Sequence, residues 1–151
     1  MLTVGDSAPE FELISDEGQP VKLSDFRGQQ VVIFFYPKAD TPGCTTQACG
    51  FRDNFEVIEA ADTAVLGISP DSPKALAKWK KKQNLPYPLL SDPEHQVAEA
   101  YGVWGEKKMY GRSYMGIIRS HFVVDAEGKI ADVQFKVSPQ ESVARAVKFL
   151  S

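Results

Sequence analysis

Residues 31–55 read VVIFFYPKADTPGCTTQACGFRDNF. This stretch decides the fold because it runs from one kind of element straight into another. Val31–Tyr36 is an unbroken apolar run of β-branched and aromatic residues, too short for a buried helix, and it predicts a core strand. Thr41-Pro42 then marks a helix start: a capping side chain followed by proline at the first helical position, where the missing N–H costs nothing. Ala48, Phe51, Phe55 and Ile58 follow at helical spacing and form one apolar stripe. Cys44 therefore falls in the first turn of a helix fed directly by a buried strand.

Outward from this stretch the same two signals recur. Ala64–Ile68, Ile117–Val124 and Ile130–Phe135 read as further core strands. The last two flank DAEGK (Asp125–Lys129), a turn in which Gly128 suits a positive φ, so they predict a hairpin. FELIS (Phe11–Ser15) and PVKLS (Pro20–Ser24) predict another. Ser72-Pro73, Asp92-Pro93 and Ser138-Pro139 repeat the capping signature and predict helices over Pro73–Gln83, Pro93–Tyr101 and Pro139–Leu150. Ser138 with Glu141 has the spacing of a capping box. Strands alternating with helices, plus a hairpin, predict an α/β sandwich around a mixed sheet. No internal repeat, low-complexity tract or linker interrupts the chain, which reads as one domain over residues 1–151.

The totals exclude several classes. With 43% hydrophobic and 25% charged residues among 151, the chain can bury a core and is not of disordered composition. A net charge of -3 argues against nucleic-acid binding. KWKKK (Lys78–Lys82) reads as a solvated helix face. No basic-then-apolar leader is visible and no apolar run approaches a membrane span. Two cysteines are too few for a disulfide-stapled secreted scaffold, which points to a reducing, cytoplasmic setting.

The two cysteines lie five positions apart. A helix N-terminus presents free N–H groups and a partial positive charge; both favour an anion, and the thiolate is the nucleophilic form of cysteine. Cys44, four residues before Ala48, shares the apolar stripe and points towards the body of the domain. Cys49 is rotated about 140° from it, in line with Arg52, Asp53 and Glu56 on the polar side. Helix geometry puts the two Cα atoms roughly 8.5 Å apart, beyond the limit of about 7 Å for a disulfide. On the residues alone three explanations stand. The cysteines are unrelated, one of them buried; or they bind a metal, for which only the distant His95 and His121 remain; or they are a redox pair in which oxidised Cys44 recruits Cys49 after local unwinding of a fraying first turn.

Tyr36–Phe55, YPKADTPGCTTQACGFRDNF, resembles the active-site segment of the peroxiredoxins, and among them the bacterioferritin comigratory protein, or peroxiredoxin Q, branch. The general pattern is proline, three residues, threonine or serine, two residues, cysteine; here it is Pro37, Thr41 and Cys44. The branch marker, a second cysteine five residues on, is Cys49. VGDSAPEFEL (Val4–Leu13), VLGISPDSP (Val65–Pro73), LLSDPEHQVAEAYGVWGEK (Leu89–Lys107) and GIIRSHFVVDAEGKI (Gly116–Ile130) extend the likeness over nearly the whole chain.

The resemblance implies a thioredoxin-like α/β fold, with a central mixed β-sheet flanked by helices. It implies a thiol-dependent reduction of hydrogen peroxide and small alkyl hydroperoxides in antioxidant defence, with no cofactor and no metal. By that likeness Cys44 attacks the terminal peroxide oxygen and is left as a sulfenic acid. Thr41 hydrogen-bonds thiolate and peroxide, Pro37 shields the pocket, and Arg119 supplies a guanidinium. Cys49 resolves the sulfenic acid into an intramolecular disulfide, which thioredoxin or a similar dithiol protein reduces, in a protein that works as a monomer.

These roles suit the chemistry. Peroxide cleavage needs a thiolate, nearby positive charge and donors aimed at the oxygens as the O–O bond breaks. Arg119 is a fixed cation with a planar fork of donors that lysine cannot match. Fast disulfide formation limits the climb to sulfinic acid, a rung of cysteine oxidation that thiols do not reverse. Where many relatives carry two small hydroxyl residues after the arginine, this chain has Ser120 and His121. His121 falls on the same side of its strand as Arg119, where it either sits near the pocket and titrates around neutral pH or, as the preferred reading, fills space. Two alternatives are weaker. A disulfide oxidoreductase would use a C-x-x-C pair. A redox-switch binding module is disfavoured by the charge balance, by the lack of a large exposed apolar stretch and by the intact Pro37/Thr41/Cys44/Arg119 set.

Overall fold

The strand read from Val31 is β3 (Gln30–Phe35), and a computed structural model covering residues 2–151 places it inside a seven-stranded sheet. The other members are β1 (Glu12–Ser15), β2 (Pro20–Lys22), β4 (Thr63–Ser69), β5 (Leu89–Ser91), β8 (Ser120–Val124) and β9 (Ile130–Gln134), in the order β2-β1-β5-β4-β3-β8-β9. β3 pairs in parallel with β4, and β4 with β5, while β8 runs antiparallel to β3 and to β9. The sheet is therefore mixed. Helices α1 (Pro42–Asp53), α2 (Phe55–Ala60), α3 (Pro73–Gln83), α4 (Gln96–Ala100) and α5 (Pro139–Leu150) flank it.

Alternation along β3 divides the core in two. Val31, Ile33 and Phe35 join a cluster with Ala98 and Tyr101, on the α4 side. Val32, Phe34 and Tyr36 join a second cluster with Cys44, Ala48 and Phe51 of α1, Trp79 of α3 and Ala146 of α5. A central strand covered on both faces explains why its sequence is an unbroken apolar run rather than an alternating one. The face under α1, α3 and α5 is the one that holds the first cysteine.

The proline-capped helices α3 and α5 span the residues expected. Ser72 Oγ accepts from Ala75 N at 3.2 Å and Ser138 Oγ from Glu141 N at 3.1 Å. Only half of the capping box forms, because the Glu141 carboxylate accepts from Arg145 at 2.7 Å instead of turning back to Ser138. The β1–β2 and β8–β9 hairpins are both present, with Gly128 at φ 85° in the second turn.

Three boundaries differ from the sequence reading. The helix expected from Pro93 starts at Gln96: Asp92-Pro93 makes a turn, His95 is left-handed (φ 48°), and the Asp92 carboxylate accepts from Val97 N and Ala98 N. The single helix expected past Phe55 breaks at Asn54, whose side chain donates to Gly50 O at 2.8 Å. The strand expected over Ile117–Val124 is two elements. Ile117 ends β7 (Arg112–Ile117), Ser120 begins β8, and Ile118-Arg119 bridges them. β7 pairs with β6 (Trp104–Met109) in a separate two-stranded ribbon that was not anticipated. Its turn, Tyr110-Gly111, has positive φ at both positions, and Met109, Tyr110, Tyr114 and Met115 are exposed on it. Among the described residues no helix is long and apolar enough to cross a membrane.

Candidate active site

The site forms where β3 hands over to α1. Pro37 is half-buried directly after Tyr36, and the loop beyond it is tied to the end of β4: Ala39 N donates to Asp71 Oδ2 at 2.7 Å, and Ser69 Oγ donates to the same oxygen at 2.7 Å. Asp40 turns the chain at φ 61° into Thr41, the N-cap residue of α1. Thr41 has the extended backbone of a cap, and its carbonyl accepts from Thr45 N at 2.8 Å. Its hydroxyl does not cap the helix. It donates to Lys38 O at 2.7 Å, so the role of side-chain cap read from the sequence is corrected.

Cys44 sits in the first turn of α1, 1% exposed, facing the core as its place in the apolar stripe predicts. Arg119 reaches it from the junction between β7 and β8. One guanidinium nitrogen, Nη2, donates to Cys44 Sγ at 3.4 Å, and the other, Nη1, donates to Gln47 Oε1 at 2.6 Å. Thus 75 residues of chain separate two groups in hydrogen-bond contact. Gly43 makes room for this approach. A Cβ there would stand 3.1 Å from Arg119 Nη2 and 3.6 Å from Pro139 Cγ. A second cation stands near. Lys107 donates to Ile117 O at 2.8 Å, and burial, with the charge of Arg119 adding to it, lowers its ammonium below the ordinary lysine range. Beyond Arg119 a cavity of about 620 Å³ opens, lined by Lys107, Lys108, Ile118, Phe135 and Val137.

Cys49 is half-buried, and the thiols of Cys49 and Cys44 are both free. The sequence placed Cys49 on a polar helix side; the structure places it against the C-terminal end of α3. There Cys49 Sγ donates to Gln83 Oε1 at 3.4 Å and Arg52 Nη1 to Gln83 O at 2.7 Å. Burial raises the Cys49 thiol above its ordinary range; nearby Arg52 opposes the shift and Asp53 adds to it. Cys49 is thereby kept as a thiol at rest.

Three residues absent from the sequence reading belong to this neighbourhood: Gln47, Lys107 and Ser142. Gln47 is fully buried, and its amide nitrogen donates to Ser142 Oγ at 3.0 Å. Ser142 Oγ lies 2.8 Å from His121 Nδ1. His121 is on the Arg119 side of the sheet as alternation predicts, fully buried, edge-on to Phe51, with its pKa pushed down to about 4 by burial. Gln47 was open to detection, since it lies three residues after Cys44 on nearly the same helix face. Among the described residues no group of three or more His, Cys, Asp or Glu side chains is placed to hold a metal ion.

A free, buried thiol at a helix N-terminus, a guanidinium donating to it and a second thiol five residues along make an arrangement suited to two-electron oxidation of sulfur. The AhpC/TSA family pattern matches residues 4–133. The chain is 48% identical over 149 residues to peroxiredoxin Bcp of Bacillus subtilis, covering 99% of this chain and 95% of that protein. It is 51% identical over 144 residues to peroxiredoxin Bcp of Escherichia coli, covering 94% and 92%. Its structure is similar to that of the bacterioferritin comigratory protein of Xanthomonas campestris, with TM-score 0.87 and 33% identity over 93% and 89% of the two chains. It is also similar to a mutant PrxQ of Xylella fastidiosa, with TM-score 0.93 and 29% identity over 99% and 96%.

Proposed function

Since the chain belongs to the AhpC/TSA family and is a peroxiredoxin, a thiol peroxidase with a thioredoxin-like fold, we propose that Cys44 attacks the peroxide and Cys49 closes the cycle. The observation that carries this is the Arg119 Nη2 to Cys44 Sγ contact of 3.4 Å at the buried start of α1. The Cys44 thiolate attacks the terminal oxygen of ROOH; the O–O bond breaks, the OH stays on sulfur as a sulfenic acid, and the expelled RO− takes a proton from solvent and leaves as ROH. Arg119 offers donors to the sulfur and to the oxygens as negative charge shifts between them. Thr41 Oγ1, donating to Lys38 O, keeps lone pairs that can accept from the peroxide hydrogen. Pro37 closes the loop side of the pocket.

Cys49 then attacks the sulfenic sulfur, water leaves, and an internal disulfide forms. The five-residue spacing requires α1 to open first, because two Cα atoms so placed on a helix stand roughly 8.5 Å apart. Thioredoxin or a similar dithiol protein takes the disulfide back to two thiols and is itself oxidised. The protein works in this reading as a single-domain, cytoplasmic monomer on hydrogen peroxide and alkyl hydroperoxides. Single-turnover kinetics test it. Cys44→Ser should abolish peroxide consumption. Cys49→Ser should leave one fast reaction per chain and lose recycling by reduced thioredoxin. Mass spectrometry of the oxidised wild type should give one internal disulfide in a monomer; a cross-linked dimer or a peroxidase-active Cys44→Ser protein would defeat the reading.

A further inference from the structure

Gln47, Ser142 and His121 are fully buried, and they touch one another in series, starting from the arginine on Cys44. Arg119 has only donors, so the series has a direction. Arg119 Nη1 donates a hydrogen bond to Gln47 Oε1, which turns the Gln47 amide nitrogen outward to donate to Ser142 Oγ. Ser142 keeps one O–H to give, and His121 Nδ1 is the acceptor within reach. This direction requires a neutral His121 with Nδ1 bare and Nε2 protonated. The buried setting agrees: desolvation dominates the low pKa, and of the nearby charges Asp132 opposes the shift while Arg145 adds to it. Among the described residues His121 Nε2 ends the series without a hydrogen-bond partner.

The members come from different elements: Arg119 from the β7–β8 junction, Gln47 from α1, Ser142 from α5 and His121 from β8. Gln47 stands between Cys44 and Cys49 in the chain, so any opening of α1 that brings the two sulfurs together withdraws Gln47 from both its neighbours. We propose that Ser142 and His121 are positioning residues, which act through Gln47 to hold Arg119 on Cys44 and α1 wound. This deepens the peroxidase reading and rests on it. Peroxide attack and disulfide formation are then coupled with opposite sign: a looser series slows the first and speeds the second.

Trp79 Nε1 donates to Thr45 Oγ1 at 3.4 Å, so its fluorescence reports the winding of α1. Stopped-flow fluorescence of the full chain with hydrogen peroxide separates the two phases. In Ser142→Ala and His121→Leu, attack should slow about tenfold and disulfide formation should quicken severalfold. In His121→Asn, whose amide oxygen replaces the Nδ1 acceptor, both phases should stay within about twofold of wild type. Nitrogen NMR of the reduced wild type should show the Nε2–H tautomer at neutral pH, lost in Ser142→Ala. A folded Ser142→Ala with both phases unchanged would overturn the proposal, as would His121→Asn failing in step with His121→Leu. If Ser142→Ala does not fold, the two His121 variants decide. A wild type without either phase would instead overturn the peroxidase reading, and the imidazole spectra would still decide the series.

Discussion

A Cβ placed on Gly43 would meet Arg119 Nη2 at 3.1 Å, the nitrogen that donates to Cys44 Sγ. Alanine in a helical turn otherwise gains about 0.5–1 kcal/mol over glycine. Gly43→Ala should therefore hold or raise the melting temperature while slowing peroxide attack about tenfold by displacing the guanidinium. Attack at the wild-type rate would show that this close approach does not seat Arg119. His121 sets a second expectation. Its folded pKa is depressed to about 4 from 6.5, so below about 6.5 the unfolded chain takes up the proton first. Stability from this group is fully present above pH 6.5 and is lost as pH falls towards 4, by roughly 3 kcal/mol in all. Denaturant midpoints at about pH 7 and about pH 5 should fall more steeply in wild type than in His121→Asn; parallel falls would exclude His121 as the source. At this scale the place of Cys44 at a buried helix start was legible from the strand end and the Thr41-Pro42 signature, whereas Arg119 was named only through the family resemblance. Gln47 was marked only by its three-residue spacing from Cys44; its contact with Ser142, 95 positions later, was not legible.

As an element, α1 is pinned along its side and weakly held at its start. Thr45 accepts from Trp79 at 3.4 Å, Ala48 O from Tyr87 Oη at 2.6 Å, and Arg52 reaches Gln83 O at 2.7 Å. Among the described residues no side chain caps its first turn, because the Thr41 hydroxyl is spent on Lys38 O. Opening should therefore begin at the N-terminal end and pass through the pins one after another. Burial holds the Tyr87 phenol well above its ordinary range, so it stays a donor. Tyr87→Phe should cost about 1 kcal/mol of stability in denaturant titration and hasten disulfide formation after peroxide. Unaltered disulfide kinetics in a variant of lowered stability would mean that opening does not pass through Ala48. The same local logic explains which elements were legible. α3 and α5 match to the residue because serine and proline fix their starts through bonds made within a few residues. α4 does not, because Asp92 caps it from beyond a left-handed His95. The β6–β7 ribbon escaped notice because most of its side chains are exposed, so no buried face imposes a hydrophobic period.

Across the whole molecule, the two core clusters make the opening of α1 a local event. Cys44, Ala48 and Phe51 all pack into the cluster shared with α3 and α5. Withdrawing a fully buried phenylalanine such as Phe51 costs about 1.5–3 kcal/mol, so unwinding is affordable only if it stops short of the sheet. β3 alternates its side chains between the two clusters and is paired on both edges, with β4 and with β8. The α4-side cluster includes no residue of α1 and loses nothing when that helix opens. The strands should then behave as a fixed frame while the segment between the cysteines changes form. Hydrogen exchange on the reduced and the oxidised protein should show this division. In the disulfide form the amides of residues 44–53 should lose protection, while those of β3, β4 and β8 keep it. Protection lost throughout β3 and β8 would mean that both clusters open together. A protected α1 in a protein proven to carry the Cys44–Cys49 bond would mean that the sulfurs meet by some route other than helix opening.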